Sequence, residues 1–201
     1  ILVISDEIYS ELTYGKEHVS IASLPGMKEY SIVINGFSKG FAMTGWRLGY
    51  ALGNKEILKQ MIKIHQYAIM CAPTVSQYAA IEAMYNGDQD VIYMRESYNQ
   101  RRRFLYHELQ RLGLPCFLPE GAFYMFPDIR EFGMTSEDFA LDLLKEEKVA
   151  VVPGSAFGDC GEGFIRISYA YSIEELKEAL LRIERYLNRK RSQKTESPKQ
   201  V

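Results

Sequence analysis

Cysteine is scarce: there are three, Cys71, Cys116 and Cys160, an odd number with no two close together. Neither a disulfide framework nor a zinc site follows from them. The expectation is buried free thiols in a reducing, cytoplasmic setting. Histidine is as rare. His18, His65 and His107 form no cluster, so no metal is expected. Charge of one sign is not in excess either. A net charge of −2 gives no global pull toward nucleic acid or an anionic membrane surface. No apolar run reaches the ~18–20 residues that a membrane-crossing helix needs. No secretory leader and no internal repeat are visible. What remains is an ordinary globular composition, 47 % hydrophobic and 25 % charged over 201 residues, enough for one large domain or two small ones.

The chain opens without Met inside the apolar run Ile1-Leu2-Val3-Ile4. Such a run reads as a strand buried on both faces, here 1–5. Further strands are expected at 31–35 and 48–52. These are few neighbours for buried strands, so an N-terminal portion is expected to precede Ile1. Asn54 is placed to cap a helix to about Met70, and Pro73-Thr74 to open another to about Tyr85. A long charged helix is expected over about 88–112, closed by Gly113. Its Arg101-Arg102-Arg103 run fans around the axis and reads as solvated charge. Strand and helix then alternate: a strand at 122–126, a helix capped by Ser136 to about Glu147, strands at 149–152 and 164–168, and a last helix. Ser172 caps that helix, with Glu175 three residues on in a capping box. The tail, 189–201, is polar and reads as disordered.

One segment stands out: Gly36-Phe37-Ser38-Lys39-Gly40-Phe41-Ala42-Met43-Thr44-Gly45-Trp46-Arg47. From Tyr30 to Trp46 the only charged residue is Lys39. An amine among small, aromatic and hydroxyl residues past a strand end is partly desolvated. Its neutral form, the one Schiff-base chemistry requires, should become available. Read by composition alone, the same lysine could be a surface residue of a glycine-rich loop. Asp6 closes the first strand, at the end where open α/β sheets bind ligands; alone, it could equally be a helix cap. Arg166 sits between Ile165 and Ile167 in a short strand. A charge there either faces solvent or has a dedicated partner.

The run from Ser38-Lys39 to Trp46-Arg47 resembles the cofactor-lysine segment of the fold type I, class I aminotransferases, most of all the aspartate/aromatic branch. Ile4-Ser5-Asp6-Glu7-Ile8-Tyr9, Pro119-Glu120-Gly121-Ala122-Phe123-Tyr124, Pro153-Gly154-Ser155-Ala156-Phe157-Gly158 and Arg166-Ile167-Ser168-Tyr169-Ala170 resemble other motifs of that family, in the same order. The resemblance covers about 1–187. It implies an α/β fold: the C-terminal part of a large domain that binds pyridoxal 5'-phosphate (PLP), at 1–91, then a small α+β domain at 92–188. It implies Lys39 as the Schiff-base and proton-transfer lysine. Asp6 would partner the pyridine nitrogen, Tyr9 the phenolic oxygen, Arg47 the phosphate, and Arg166 the substrate α-carboxylate. Gly36 departs from the family, where a serine often contacts the phosphate; Ser38 could compensate. The implied reaction is transamination between an L-amino acid and a 2-oxo acid, in a homodimer, with ping-pong kinetics. In such proteins further cofactor contacts precede the position of Ile1, and the partner subunit lends residues. The chain alone is therefore expected to be inactive. Two rivals share the cofactor: a carbon–sulfur lyase of the same fold, which releases ammonia and pyruvate, and a cofactor-binding domain of a transcription regulator.

Overall fold

A computed structural model describes residues 1–196. By their internal contacts these residues form two compact units. The first is Ile1–Ser97 with Glu120–Ala122; the second is Tyr98–Pro119 with the chain from Phe123 on. The division falls between Ser97 and Tyr98, inside a helix.

The first unit carries a three-stranded sheet: β1 (Val3–Asp6), β2 (Ser31–Gly36) and β3 (Gly49–Gly53), in that order. β1 and β2 are parallel, with Asp6 opposite Ile34; β2 and β3 are antiparallel, with Gly36 opposite Gly49. Helices α1 (Lys55–Ala68), α2 (Thr74–Asn86) and the start of α3 (Asp88–Arg111) follow. Asn54 caps α1 as its sequence suggests, its side chain accepting from Glu56 N.

Only β2 is well buried. Ile4 of β1 is 69 % exposed and Leu52 of β3 is 57 % exposed, so burial of both faces fails for these two strands in this chain. Among the described residues nothing covers Ile4 or Leu52, and Ile64 and Tyr67 of α1, Met70 beyond its end and Tyr85 of α2 are likewise exposed. This is the uncovered apolar area expected of strands with too few neighbours.

The second unit has a core of its own. Strands β4 (Tyr124–Met125), β5 (Val152–Pro153) and β6 (Ile165–Ser168) form an antiparallel sheet in the order β4-β6-β5. α4 (Ser136–Glu147) and α5 (Ile173–Glu196) complete the core with Phe139, Leu143, Leu180, Ile183, Tyr186 and Leu187. Each such side chain contributes about 1.5–3 kcal/mol by leaving water. The strand expected at 122–126 is shorter, because Ala122 takes a left-handed φ of 58° and Gly121 bridges back to Thr13 within the first unit. The strand expected at 149–152 begins only at Val152. Thr135, not Ser136, caps α4: the Ser136 hydroxyl is buried and donates to Glu162. The Ser172–Glu175 capping box forms as read.

Three further expectations are corrected. α5 runs through 189–196, which is helical rather than disordered; 197–201 lie outside the described residues. Arg189 pairs with Glu147, Lys190 with Asp142 and Arg191 with Glu131, so long-range partners hold a segment whose local composition looks like a tail. Arg102 is buried, its guanidinium donating to Pro119 O and Asn99 Oδ1, whereas Arg103 is exposed. Cys71 and Cys160 are exposed rather than buried, because both lie in connections outside the core; Cys116 is half-buried, and burial pushes its thiol up. Among the described residues no group of side chains could hold a metal, and no helix is long and apolar enough to cross a membrane.

Glu147 gives a stability prediction. Its side chain is 5 % exposed, and it accepts from Arg185 at 2.8 Å and Arg189 at 2.7 Å. The Arg185 guanidinium holds the carboxyl below the usual carboxylate range. The stabilisation is therefore present above the ordinary carboxylate pKa and is lost as pH falls through the lower folded value. Glu147→Gln should melt several degrees below wild type at pH 7. The gap should close in strong acid, as thermal unfolding followed by circular dichroism will show.

Candidate active site

The register of the first sheet brings the site together. The carboxyl ends of parallel β1 and β2 and the start of antiparallel β3 share one edge. Asp6 is the last residue of β1. Lys39 lies in the turn that leaves β2, and Arg47 lies just before β3. Tyr9 is half-buried in the turns after β1. Asn35 Nδ2 donates to Ser10 Oγ at 3.1 Å, tying the end of β2 to the chain beyond Tyr9. Four of the five residues singled out in the sequence thus gather along one strand edge of one unit.

The Lys39 turn is closely built. Phe37 N donates to Leu48 O, Met43 N to Phe37 O and Ala42 N to Lys39 O. Phe37 is buried against Phe41 and Tyr50, at centroid separations of 5.5 and 5.8 Å. Lys39 is half-buried, whereas the other lysines of this unit, at 16, 28, 55, 59 and 63, are all exposed. Gly36 is closely packed: a Cβ there would meet Gly49 Cα and Leu48 O at 3.0 Å, so a serine would ask that backbone to give by a few tenths of an ångström. Ser38 is half-buried in the same turn.

Arg47 follows the short 3-10 turn Thr44–Trp46 and has a left-handed φ of 52°, as does Ala42 before that turn. Non-glycine residues in this region each cost about 1–3 kcal/mol unless the surroundings impose the conformation. Buried Ser76 of α2 supplies part of that constraint, its hydroxyl donating to Trp46 O at 2.7 Å. The Arg47 side chain is exposed, with Nη1 donating to Thr44 O at 2.8 Å.

Asp6 and Glu7, adjacent carboxylates, have different surroundings. Asp6 is exposed and accepts one hydrogen bond, from Ile8 N at 3.2 Å. Glu7 is buried and accepts from Ser5 Oγ, Ser20 Oγ and Ile21 N, with His18 Nε2 at 3.0 Å. Burial alone would raise the Glu7 carboxyl, but bonds from His18, Ser20, Ser5 and Ile21 outweigh it and hold it below the usual range. Glu7 is committed to the protein, while Asp6 keeps lone pairs for something else. A cleft of about 470 Å³ beside the end of β2 is lined by Glu11, Asn35, Phe37, Tyr50 and Arg95 among others. Burial, then Glu11 and Glu7, push the Tyr50 hydroxyl up.

Arg166 belongs to the second unit. Its guanidinium carbon lies 4.3 Å from the Tyr124 ring centroid and 4.7 Å from that of Phe157. Among the described residues no carboxylate pairs with it. Its partners are two aromatic faces, which orient the planar cation and leave its fork of donors for an anion. Tyr124 and Phe157 lie in segments that the sequence singled out, but nothing local marked them as the clamp of Arg166. Glu7 and Ser76 were missed as supports: Glu7 lies in a motif read for Asp6 and Tyr9, and Ser76 follows no local signal, while the partners of both come from elsewhere in the fold.

An α/β unit that gathers charged side chains at the carboxyl edge of its strands, followed in sequence by an α+β unit with its own core, is the class this fold defines. Comparison with known proteins then gives the family. A family model described as aminotransferase class I and II matches residues 1–183. The YugH protein of Bacillus subtilis is 57 % identical over 189 residues, which are 94 % of this chain and 49 % of that protein. The aspartate aminotransferase of Pyrococcus abyssi is 48 % identical over 194 residues, 95 % of this chain and 50 % of that one. The solved structure of the aromatic aminotransferase from Pyrococcus horikoshii matches with a TM-score of 0.92 at 48 % identity, over 95 % of this chain and 52 % of that one. The chain belongs to the class I and II aminotransferase family, and it spans about half the length of the relatives it matches.

Proposed function

We propose that the full-length protein is an aminotransferase that moves an amino group between an L-amino acid and a 2-oxo acid, with aspartate-like or aromatic donors, and that it uses pyridoxal 5'-phosphate. The observation that carries this reading is the shared strand edge: an underused carboxylate at Asp6, a half-buried amine at Lys39 and an exposed guanidinium at Arg47. This donor set fits the cofactor. A carboxylate with spare lone pairs suits a protonated ring nitrogen, an amine suits an aldehyde, and a guanidinium suits a phosphate. When bound, the cofactor supplies an electron sink for the substrate's Cα–H bond electrons.

The chain's own residues do the rest. Asp6 would hold the proton on the ring nitrogen, Tyr9 would donate to the phenolic oxygen and Arg47 would anchor the phosphate. Arg166, flanked by Tyr124 and Phe157, would fork onto the substrate α-carboxylate. Lys39 Nζ would hold the cofactor between turnovers and, once displaced by substrate, would take the proton from Cα as base and deliver it on the cofactor side as acid. The enzyme is read as a cytoplasmic homodimer.

The test is to load the full-length protein with pyridoxal phosphate and assay aspartate and phenylalanine with 2-oxoglutarate. Ping-pong kinetics with formation of glutamate are expected. Release of ammonia and pyruvate without an oxo-acid acceptor would instead establish a lyase. Within this reading, Asp6→Asn keeps the shape but removes the charge that holds the ring proton. It should lower kcat sharply, on the order of the 10²–10⁴-fold that a proton-positioning group supplies, with the cofactor still bound by absorbance. An unchanged kcat would sink the role given to Asp6.

A further inference from the structure

Glu7 is a buried carboxylate beside the site that the proposed chemistry does not use. It sits at the centre of the turn that presents Asp6 and Tyr9. Its backbone N donates to Ile34 O at 2.8 Å, extending the β1–β2 ladder one residue past Asp6. Its own carbonyl accepts from Ser10 N, and Tyr9 O accepts from Leu12 N. Asp6 accepts from Ile8 N across it. Alternation along a strand sends Asp6 and Glu7 to opposite faces. Of residues 6–9, only Glu7 is fully buried.

The Glu7 bonds come from two directions. Ser5 lies in β1. His18, Ser20 and Ile21 lie at the far end of the excursion that leaves β1, and residues 15–19 of that excursion are exposed. Oε1 takes Ser5 Oγ at 3.1 Å, Ser20 Oγ at 3.0 Å and Ile21 N at 3.2 Å; Oε2 faces His18 Nε2 at 3.0 Å. One side chain therefore closes the excursion onto the strand that ends in Asp6. Four partners on one buried carboxylate exceed what covering an apolar core needs.

We propose that Glu7 is a positioning residue. By gathering Ser5, His18, Ser20 and the Ile21 N–H, it locks the 6–9 turn and so fixes where the Asp6 carboxylate and the Tyr9 hydroxyl meet the cofactor ring. This rests on the cofactor reading above. Groups that support a ligand without touching the bound group typically cost 10–100-fold in affinity or activity when removed from metal sites, and the same physical logic applies here.

The full-length protein tests it, as wild type, Glu7→Ala, Glu7→Gln and, as a control, Glu162→Gln. Glu162 is an exposed carboxylate of the second unit that accepts three hydrogen bonds, from Ser136 N, Ser136 Oγ and Gly163 N. Three readouts are needed: the dissociation constant for pyridoxal phosphate, the circular dichroism of its visible band, and amide exchange across 8–21 in the cofactor-free protein. Glu7→Ala should weaken cofactor binding about 10–100-fold, diminish the visible dichroism, and speed exchange across 8–21. Glu7→Gln keeps an oxygen for the three donors to Oε1 and can donate to a neutral His18, so it should restore most of the loss. Glu162→Gln should lower the melting temperature and leave the dichroism alone.

If Glu7→Ala does not fold, a Ser5→Ala, Ser20→Ala double variant removes two of the four bonds and should shift the same readouts in the same direction. Wild-type affinity and dichroism in Glu7→Ala, or in the double variant if that is the one measured, would overturn the proposal. So would a Glu7→Gln no better than Glu7→Ala. A wild-type protein that takes up no pyridoxal phosphate at all would overturn the functional reading itself, a distinguishable result.

Discussion

Replacing Lys39 with alanine in the full-length protein should abolish the visible absorption of lysine-bound cofactor and reduce turnover by at least roughly 10²–10⁴-fold, the contribution of a positioned proton-transfer group. The expectation rests on position as much as on chemistry. Lys39 is the half-buried lysine of its unit, held in a turn closed by Phe37, Ala42 and Met43, while Lys16, Lys28, Lys55, Lys59 and Lys63 are exposed. Lys16 is moreover paired with Glu120 at 2.9 Å. None can replace Lys39 without moving the sheet. Lys39→Arg makes the argument sharper: it keeps a positive charge, but a guanidinium stays protonated and cannot act as a neutral amine. Both variants should still bind pyridoxal phosphate through Arg47 and Asp6, shown by retention on a desalting column. Near-normal turnover in either one would end the assignment.

Arg166→Ala should lower kcat/KM for aspartate and phenylalanine alike, because both carry an α-carboxylate. Losing one partner of a desolvated charge pair costs about 2–5 kcal/mol, or roughly 30-fold to several thousandfold. The aromatic clamp adds a second expectation. Tyr124 and Phe157 lie 4.3 and 4.7 Å from the guanidinium carbon, and they favour a flat cation. Arg166→Lys keeps the charge but loses the fork and the stacking, so it should recover only part of the loss. Steady-state kinetics with both donors check this. If the aspartate reaction alone suffers, Arg166 reads a side chain rather than the α-carboxylate.

What the residues declared by themselves was local. Lys39 was legible because it is the only charge between Tyr30 and Trp46. Asp6 was legible because it ends an apolar run. The Asn54 cap and the Ser172–Glu175 box were legible because a cap is a bond between near neighbours. α3 and α5 followed from spacing, although the end of α5 did not. Its last turns look like a tail until Glu147, Asp142 and Glu131 supply partners from distant elements. Arg102 looked solvated until Pro119 and Asn99 accepted from it.

The site divides in the same way. Its residue types could be read from the chain, but their convergence could not. Parallel pairing of β1 with β2, and the return of β3 against β2, carry Asp6, Lys39 and Arg47 to one edge although forty residues of sequence intervene. The surroundings of Glu7 were also tertiary. The strand end singles out Asp6 in the sequence, but only the fold closes four bonds on its neighbour. Periodicity, caps and isolated charges depend on neighbours a few residues away. Burial, ion pairing and spare hydrogen-bonding capacity depend on what the fold brings from elsewhere.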